Sequence, residues 1–282
     1  MGLRINTNVA SLNAQRNLRG TRLAMNKSLE KLSSGQRINR AGDDAAGLAI
    51  SENLKAQIRG LKQAERNAED GISLVQIAEG ALGEVSNIMI RLRELSVQAA
   101  SDTIGSTERK FLNVEFEQLT SEVDRIANST EFNRVPLLNG TGAVFDIQIG
   151  TRNDPISDRL TFDASSADVN VAALGLNLAS VADKISSQNS LSSIDQAIIS
   201  VSGIRADFGA LQNRLQSTVN NIAVSVENLS AANSRVRDTD IAAETAELTR
   251  ANILMNAGTS VLSQANASTK SALSLIQSAA QG

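Results

Sequence analysis

The last 42 residues of this 282-residue chain carry a strict seven-residue repeat. Ile241, Leu248, Met255, Leu262, Thr269 and Ile276 stand at one position of it, and Glu244, Ala251, Gly258, Ala265, Ala272 and Ala279 stand three residues later. Bulky residues alternating with mostly very small ones make a helical seam that lets a partner helix come close. Residues 251–282 contain one charged residue, Lys270. A helix exposed to water needs a charged face to stay soluble. A long helix without one must be surrounded by protein, so this end reads as a part buried in an assembly.

Composition narrows what else the chain can do. It is 41% hydrophobic with only 2 Pro, which fits a mostly helical protein. Trp, Tyr, Cys and His are absent and all aromatics are Phe, so Leu, Ile, Val and Ala must build narrow cores. Without His or Cys the commonest general base, the thiolate nucleophile and the usual zinc and iron–sulfur ligands are missing. No Gly-rich phosphate loop, metal motif or nucleophile elbow occurs. No enzyme activity and no cofactor or metal is expected.

The net charge of −3 argues against general nucleic-acid binding. Residues 1–42 are nevertheless basic, with Arg4, Arg16, Arg19, Arg22, Lys27, Lys31, Arg37 and Arg40 against Glu30 alone before Gly42. Residues 238–250 are acidic, with Asp238, Asp240, Glu244 and Glu247 against Arg250. Two readings stand: a basic N-terminal helix lying beside the acidic start of the C-terminal one, or a solvated basic face. Met1–Ala10 has no apolar core of a secretory signal, and no 18-residue apolar run exists to span a membrane. No membrane partner is expected, and export would need a route without a cleaved signal.

Periodicity divides the chain. Ile5, Val9, Leu12, Leu18, Met25, Leu29 and Leu32 form a first helical stripe, interrupted at Ser33-Ser34-Gly35. A second helix is predicted from about 44 to 100 on Leu54, Leu61, Ala68, Val75, Leu82 and Met89, and a third on Leu112, Phe116, Leu119, Val123 and Ile126. Residues 132–180 hold both prolines, the Asn139-Gly140 turn signal and strand-like runs at Val144–Ile149 and Leu160–Phe162, predicting a β-hairpin. From Leu191 the helix returns in an unbroken register, Ile194, Val201, Phe208, Leu215, Ile222, Leu229 and Val236. The next seam starts five residues later, at Ile241, so Arg237-Asp238-Thr239 is a phase slip that mirrors the break at 35–42. The expected fold is mainly α: a long antiparallel helical bundle or coiled coil formed by both chain ends, with a small β-hairpin region in the middle. The expected domains are 1–42 and 238–282 as the two halves of an inner coiled coil, with 43–237 as a helical rod.

The conspicuous carboxylates have a plain explanation. Asp43 and Asp44 are adjacent and cannot face each other on a helix, so capping is expected for them, as for Asp238 and Asp240 at the restart. For the seams of the middle region, a core of mutually packed helices is the plainer reading. For the chargeless end, assembly is.

The runs INTNVASLNAQRNL (5–18), LEKLSSGQRINRAGDDAAGLAISENL (29–54) and AANSRVRDTDIAAETAELTRANIL (231–254) resemble the two ends of bacterial flagellin. The chain departs from larger members by lacking inserted outer domains, and with them any inserted enzymatic activity. The resemblance implies a coiled-coil inner domain from both termini and a helical-rod domain with a β-hairpin. It implies an extracellular structural subunit that polymerises with its own copies into the flagellar filament for motility. It further implies export unfolded through the flagellar type III channel, with a chaperone on the C-terminal segment, assembly at the distal tip under a cap, and contact with hook-junction proteins. Ile5, Leu12, Ile241, Leu248, Met255, Gly258, Leu262 and Ile276 are the expected filament-assembly residues. The segment 91–98, RLRELSVQ, is similar to one that flagellins present to a host flagellin-sensing Toll-like receptor, which places Arg91, Leu95 and Glu115 at contact positions. Arg91 and an exposed Leu95 four residues on would share a helix face. The alternative is a hook–filament junction protein, which shares the end motifs.

Overall fold

The computed structural model describes residues 7–279. The described residues form α1 (Val9–Ser34), α2 (Ala45–Ala99), α3 (Ser106–Ser129), β1 (Glu131–Phe132), β2 (Val135–Pro136), β3 (Val144–Gln148), β4 (Arg159–Asp163), α4 (Lys184–Arg237) and α5 (Ile241–Ala279). Contacts gather them into two compact units, Met1–Ala56 with Leu229–Gly282, and Gln57–Asn228.

In the terminal unit short polar side chains start the helices. Asn8 caps α1 by accepting from the Ser11 N–H, and Gly35 closes it at φ 69°, a left-handed conformation that suits glycine. Asp44 accepts from the Gly47 N–H at 2.9 Å and starts α2. Asp43 does something else. It pairs with Lys27 at 2.8 Å and also accepts from the Asn39 and Arg40 N–H groups, which together hold its pKa down at about 2. Asp240 accepts from the Ala242 and Ala243 N–H groups at the start of α5.

The two sequence breaks meet each other. The Arg37 N–H donates to the Arg237 carbonyl at 2.6 Å and the Thr239 N–H to the Gly35 carbonyl at 3.0 Å, around an antiparallel bridge of Gln36 and Asp238. From this knot α1 and α5 run side by side, antiparallel. Lys31 reaches Glu244 at 3.1 Å, and at the other end Asn8 Nδ2 donates to the Ala265 carbonyl and the Ser11 hydroxyl to Asn266 Oδ1.

The middle unit has its own core. The heptad residues Val75, Leu82 and Met89 of α2 and Ile194, Val201, Phe208 and Leu215 of α4 are all buried, with Phe116 and Val123 of α3 between them. β3 and β4 pair antiparallel from Val144 opposite Asp163 to Gln148 opposite Arg159. Phe162 tilts against Phe208 with ring centroids 4.8 Å apart, which ties the hairpin to α4. Hairpin, α2 and α4 converge at Gly71, where a Cβ would stand 2.6 Å from Ile147 Cδ1 and 3.3 Å from Leu215 Cδ1 and would push those side chains aside.

Two features differ from the sequence reading. A second small hairpin, β1–β2, turns through Asn133 and Arg134, both at positive φ, with no glycine to announce it. Helix α4 begins at Lys184, seven residues before the expected Leu191. The serine-rich run there looks like a loop, yet Ser187 and Ser190 are buried and their hydroxyls donate to the Asp183 and Ser180 carbonyls. Backbone partners make these hydroxyls acceptable in a packed helix face.

Candidate assembly surface

The repeat at the C-terminus places its residues as the spacing requires. Among the described side chains of α5, the half-buried or buried positions are Glu244, Leu248, Ala251, Met255, Gly258, Leu262, Ala265 and Thr269. At Gly258 an added Cβ would stand 2.7 Å from Leu18 Cδ2, so the small position is where α1 comes closest. Leu248, Met255, Gly258 and Leu262, expected to serve the assembly, are therefore engaged first with α1 of the same chain. Ile241 begins the repeat but is exposed, because α1 is already ending opposite it. Ile5 lies outside the described residues, as does the side chain of Ile276.

On α1 the inward positions are Ser11, Ala14, Leu18, Thr21, Met25, Ser28 and Leu32. The apolar stripe expected from the sequence is only partly this one. Val9, Leu12 and Leu29 point away from α5 and are exposed, as is Leu23. Pairing thus leaves α1 a second apolar face. It leaves α5 one as well, through Ile253 at 62% exposure, Leu254 and Val261 at 59%. Those three sit off the repeat and were not singled out from the sequence. Their signal was the lack of charge around them, not their spacing.

The only carboxylate in this seam is Glu244, with 13% of its side chain exposed. Ser28, contributing most, and the Lys31 ammonium at 3.1 Å hold its pKa below the usual glutamate value.

On the middle unit, Arg91 and Glu115 do come together. The guanidinium lies 2.8 Å from the carboxylate across α2 and α3 and also pairs with Glu94. These hydrogen bonds raise the Arg91 pKa, Glu115 contributing most. Leu95 does not join them at the surface. It is completely buried, on the Leu82, Val85, Met89, Leu92 stripe that faces the core. Four residues on a helix leave a rotation of about 40°, enough to put Arg91 at the rim of that stripe and Leu95 inside it. The exposed apolar residues nearby in sequence are Ile90 and Val97 on α2, and Phe111, 70% exposed, and Val114 on α3.

Nothing in this surface resembles a catalytic constellation. Among the described residues no group of three or more His, Cys, Asp or Glu is placed to hold a metal ion, and no helix is long and apolar enough to cross a membrane.

Comparison with known proteins accounts for the arrangement. Residues 5–143 match the model of the bacterial flagellin N-terminal helical region and residues 191–276 that of the bacterial flagellin C-terminal helical region. The chain is 44% identical to a flagellin of Halalkalibacterium halodurans over 97% of its own length and 99% of the relative's. It is 44% identical to a flagellin of Bacillus subtilis over 98% and 100%. It is 42% identical to a flagellar filament 33 kDa core protein of Treponema phagedenis over 97% and 99%. Among solved structures, Bacillus cereus flagellin superposes with a TM-score of 0.51 at 33% identity, covering 60% of this chain and 94% of that one. A putative flagellar hook-associated protein from Vibrio parahaemolyticus shares the fold alone, with a TM-score of 0.58 at 16% identity, over 70% and 100%. The chain belongs to the bacterial flagellin family, the structural subunits of the extracellular flagellar filament, in a short form of 282 residues.

Proposed function

We propose that this chain is exported unfolded and assembles at the distal tip of a growing filament by covering the faces that α1 and α5 leave open. The observation that carries this is the state of α5 after pairing. Its small-residue seam is occupied by α1, yet Ile253, Leu254 and Val261 remain in solvent on a helix with one charge after Arg250. Copies of the same surface offer the shelter that one partner helix does not. Leu12 and Ile241, exposed on the same unit, belong to that interface, and Ile5 and Ile276 are assigned to it from the sequence alone. Before assembly the same open faces suit an export chaperone on the C-terminal segment. The cap and the hook-junction proteins are the partners at the two ends of the filament.

A second role concerns the free subunit. Arg91 and Glu115 present a paired, solvent-accessible charge site to a flagellin-sensing Toll-like receptor, flanked by exposed Phe111 and Val114.

Electron microscopy of purified protein, warmed, desalted and seeded with filament fragments, tests the main reading. Micrometre filaments are expected. Monomers or short capped stubs that add no length would mark a junction protein instead.

A further inference from the structure

The seam between α1 and α5 does not by itself fix how the two helices align. Ala251, Gly258 and Ala265 recur every seven residues, and so do Leu248, Met255 and Leu262. A slide of one heptad would move Leu18 from Gly258 onto Ala251, and bulky residues would again face small ones along the pair. Repeats of this kind leave register open unless polar contacts break them. The polar contacts at the open end of the pair do not discriminate. Asn8 bonds a backbone carbonyl, which every residue offers, and Ser11 would exchange Asn266 for Thr259, another hydrogen-bonding side chain.

At the knot they do discriminate. Glu244 meets the Lys31 ammonium at 3.1 Å only in the observed alignment. One heptad away Thr21 would stand in for Ser28, but Ala24 would take the place of Lys31 and the carboxylate would lie by Met25 without its cation. Seven residues before Glu244, Arg237 joins three segments. Its Nε donates to Gln36 Oε1 at 3.0 Å, its Nη1 to the Ser51 hydroxyl at 3.2 Å and to Glu52, and its carbonyl accepts from the Arg37 N–H. Only 13% of its side chain is exposed. We infer that Arg237 and Glu244 are positioning residues that set the α1–α5 register from its base, and that the repetitive seam follows the alignment they impose. This concerns how the two ends of one chain align within the filament and rests on the proposed assembly, which electron microscopy scores separately.

The chain has no cysteine, so engineered disulfides report register without background. Leu18→Cys with Gly258→Cys reads the observed alignment, and Leu18→Cys with Ala251→Cys the slid one. Removing Leu18 also removes the atom that would crowd a side chain at 258. Each pair is oxidised mildly in seed-grown filaments of the full chain, and the closed fraction is read by mass spectrometry. With Arg237 and Glu244 intact, the first pair closes and the second stays open. In the Arg237→Ala, Glu244→Leu background, the slid pair gains roughly tenfold relative to the first, as loss of several charge-assisted hydrogen bonds requires. Glu244→Gln, which still accepts from Ser28 and Lys31, keeps the observed alignment. An unchanged ratio in the double variant overturns the inference. So does closure of neither pair there, which would make these residues hold the helices together without aligning them. Failure of the first pair with both residues intact overturns the pairing itself.

Discussion

Single residues decide how closely the pieces approach. An added Cβ at 258 would stand 2.7 Å from Cδ2 and 3.1 Å from Cγ of Leu18, so Gly258→Ala asks that one flexible side chain to turn aside. Gly258→Leu asks two branched side chains to share that space, an overpacking that costs about 1–3 kcal/mol. Filaments are expected from the alanine variant and short ones or none from the leucine variant, scored by electron microscopy. Normal length from the leucine variant would show that α1 and α5 do not need this approach. Arg91 is decided by charge. Arg91→Ala removes both bonds to Glu115 and Glu94 and leaves two exposed carboxylates on that surface. Receptor-reporter cells given the purified monomer should lose most of their signal. Leu95→Ala needs a thermal melt beside the signalling assay, because truncating a completely buried leucine costs about 2–5 kcal/mol.

At the level of elements, legibility followed the strength of the repeat. The span of α2 and the start of α5 could be read within a residue or two because their apolar positions recur without interruption over many turns. The inward face of α5 was legible for a second reason: small residues at 251, 258 and 265 mark where a neighbour comes close. The inward face of α1 was not. Its seam is filled by Ser11, Ala14, Thr21 and Ser28 as much as by Leu18, Met25 and Leu32. A search for apolar residues therefore merged the seam with the uncovered stripe of Val9, Leu12 and Leu29. The same limit hid the burial of Leu95, since spacing alone does not locate the rim of a stripe. The knot was half legible: two breaks were visible in the sequence, but their pairing depends on Arg237, whose partners lie far away in the chain. Deleting residues 241–282 tests the independence of these elements. The buried apolar cluster of the middle unit runs from Ala68 to Leu215 and takes nothing from α5. Polymerisation should vanish while circular dichroism keeps the helical signal of α2, α3 and α4. Equal loss of both would mean one cooperative fold.

The two units carry opposite charge. The terminal unit holds 13 Lys and Arg against 8 Asp and Glu, the middle unit 14 against 22. A filament that shelters α5 behind other copies brings terminal units, each of net charge +5, close together. Arg16, Arg19 and Arg22 stand exposed on α1 and make no ion pair among the described residues. Their mutual repulsion opposes the approach that the uncovered apolar faces favour. Salt acts on the first effect and hardly on the second, since screening shortens from about 30 Å at 0.01 M to about 8 Å at 0.15 M, while apolar burial is not weakened by such concentrations. Seeded elongation should therefore speed up as salt rises across that range, measured by light scattering at fixed seed and subunit concentration. Replacing Arg16, Arg19 and Arg22 with Gln should raise the low-salt rate and flatten the dependence, because the charge being screened is gone. A rate that falls with salt would mean that the terminal unit of one copy is drawn instead to the acidic middle unit of another, and that the growing contact is one of opposite charge.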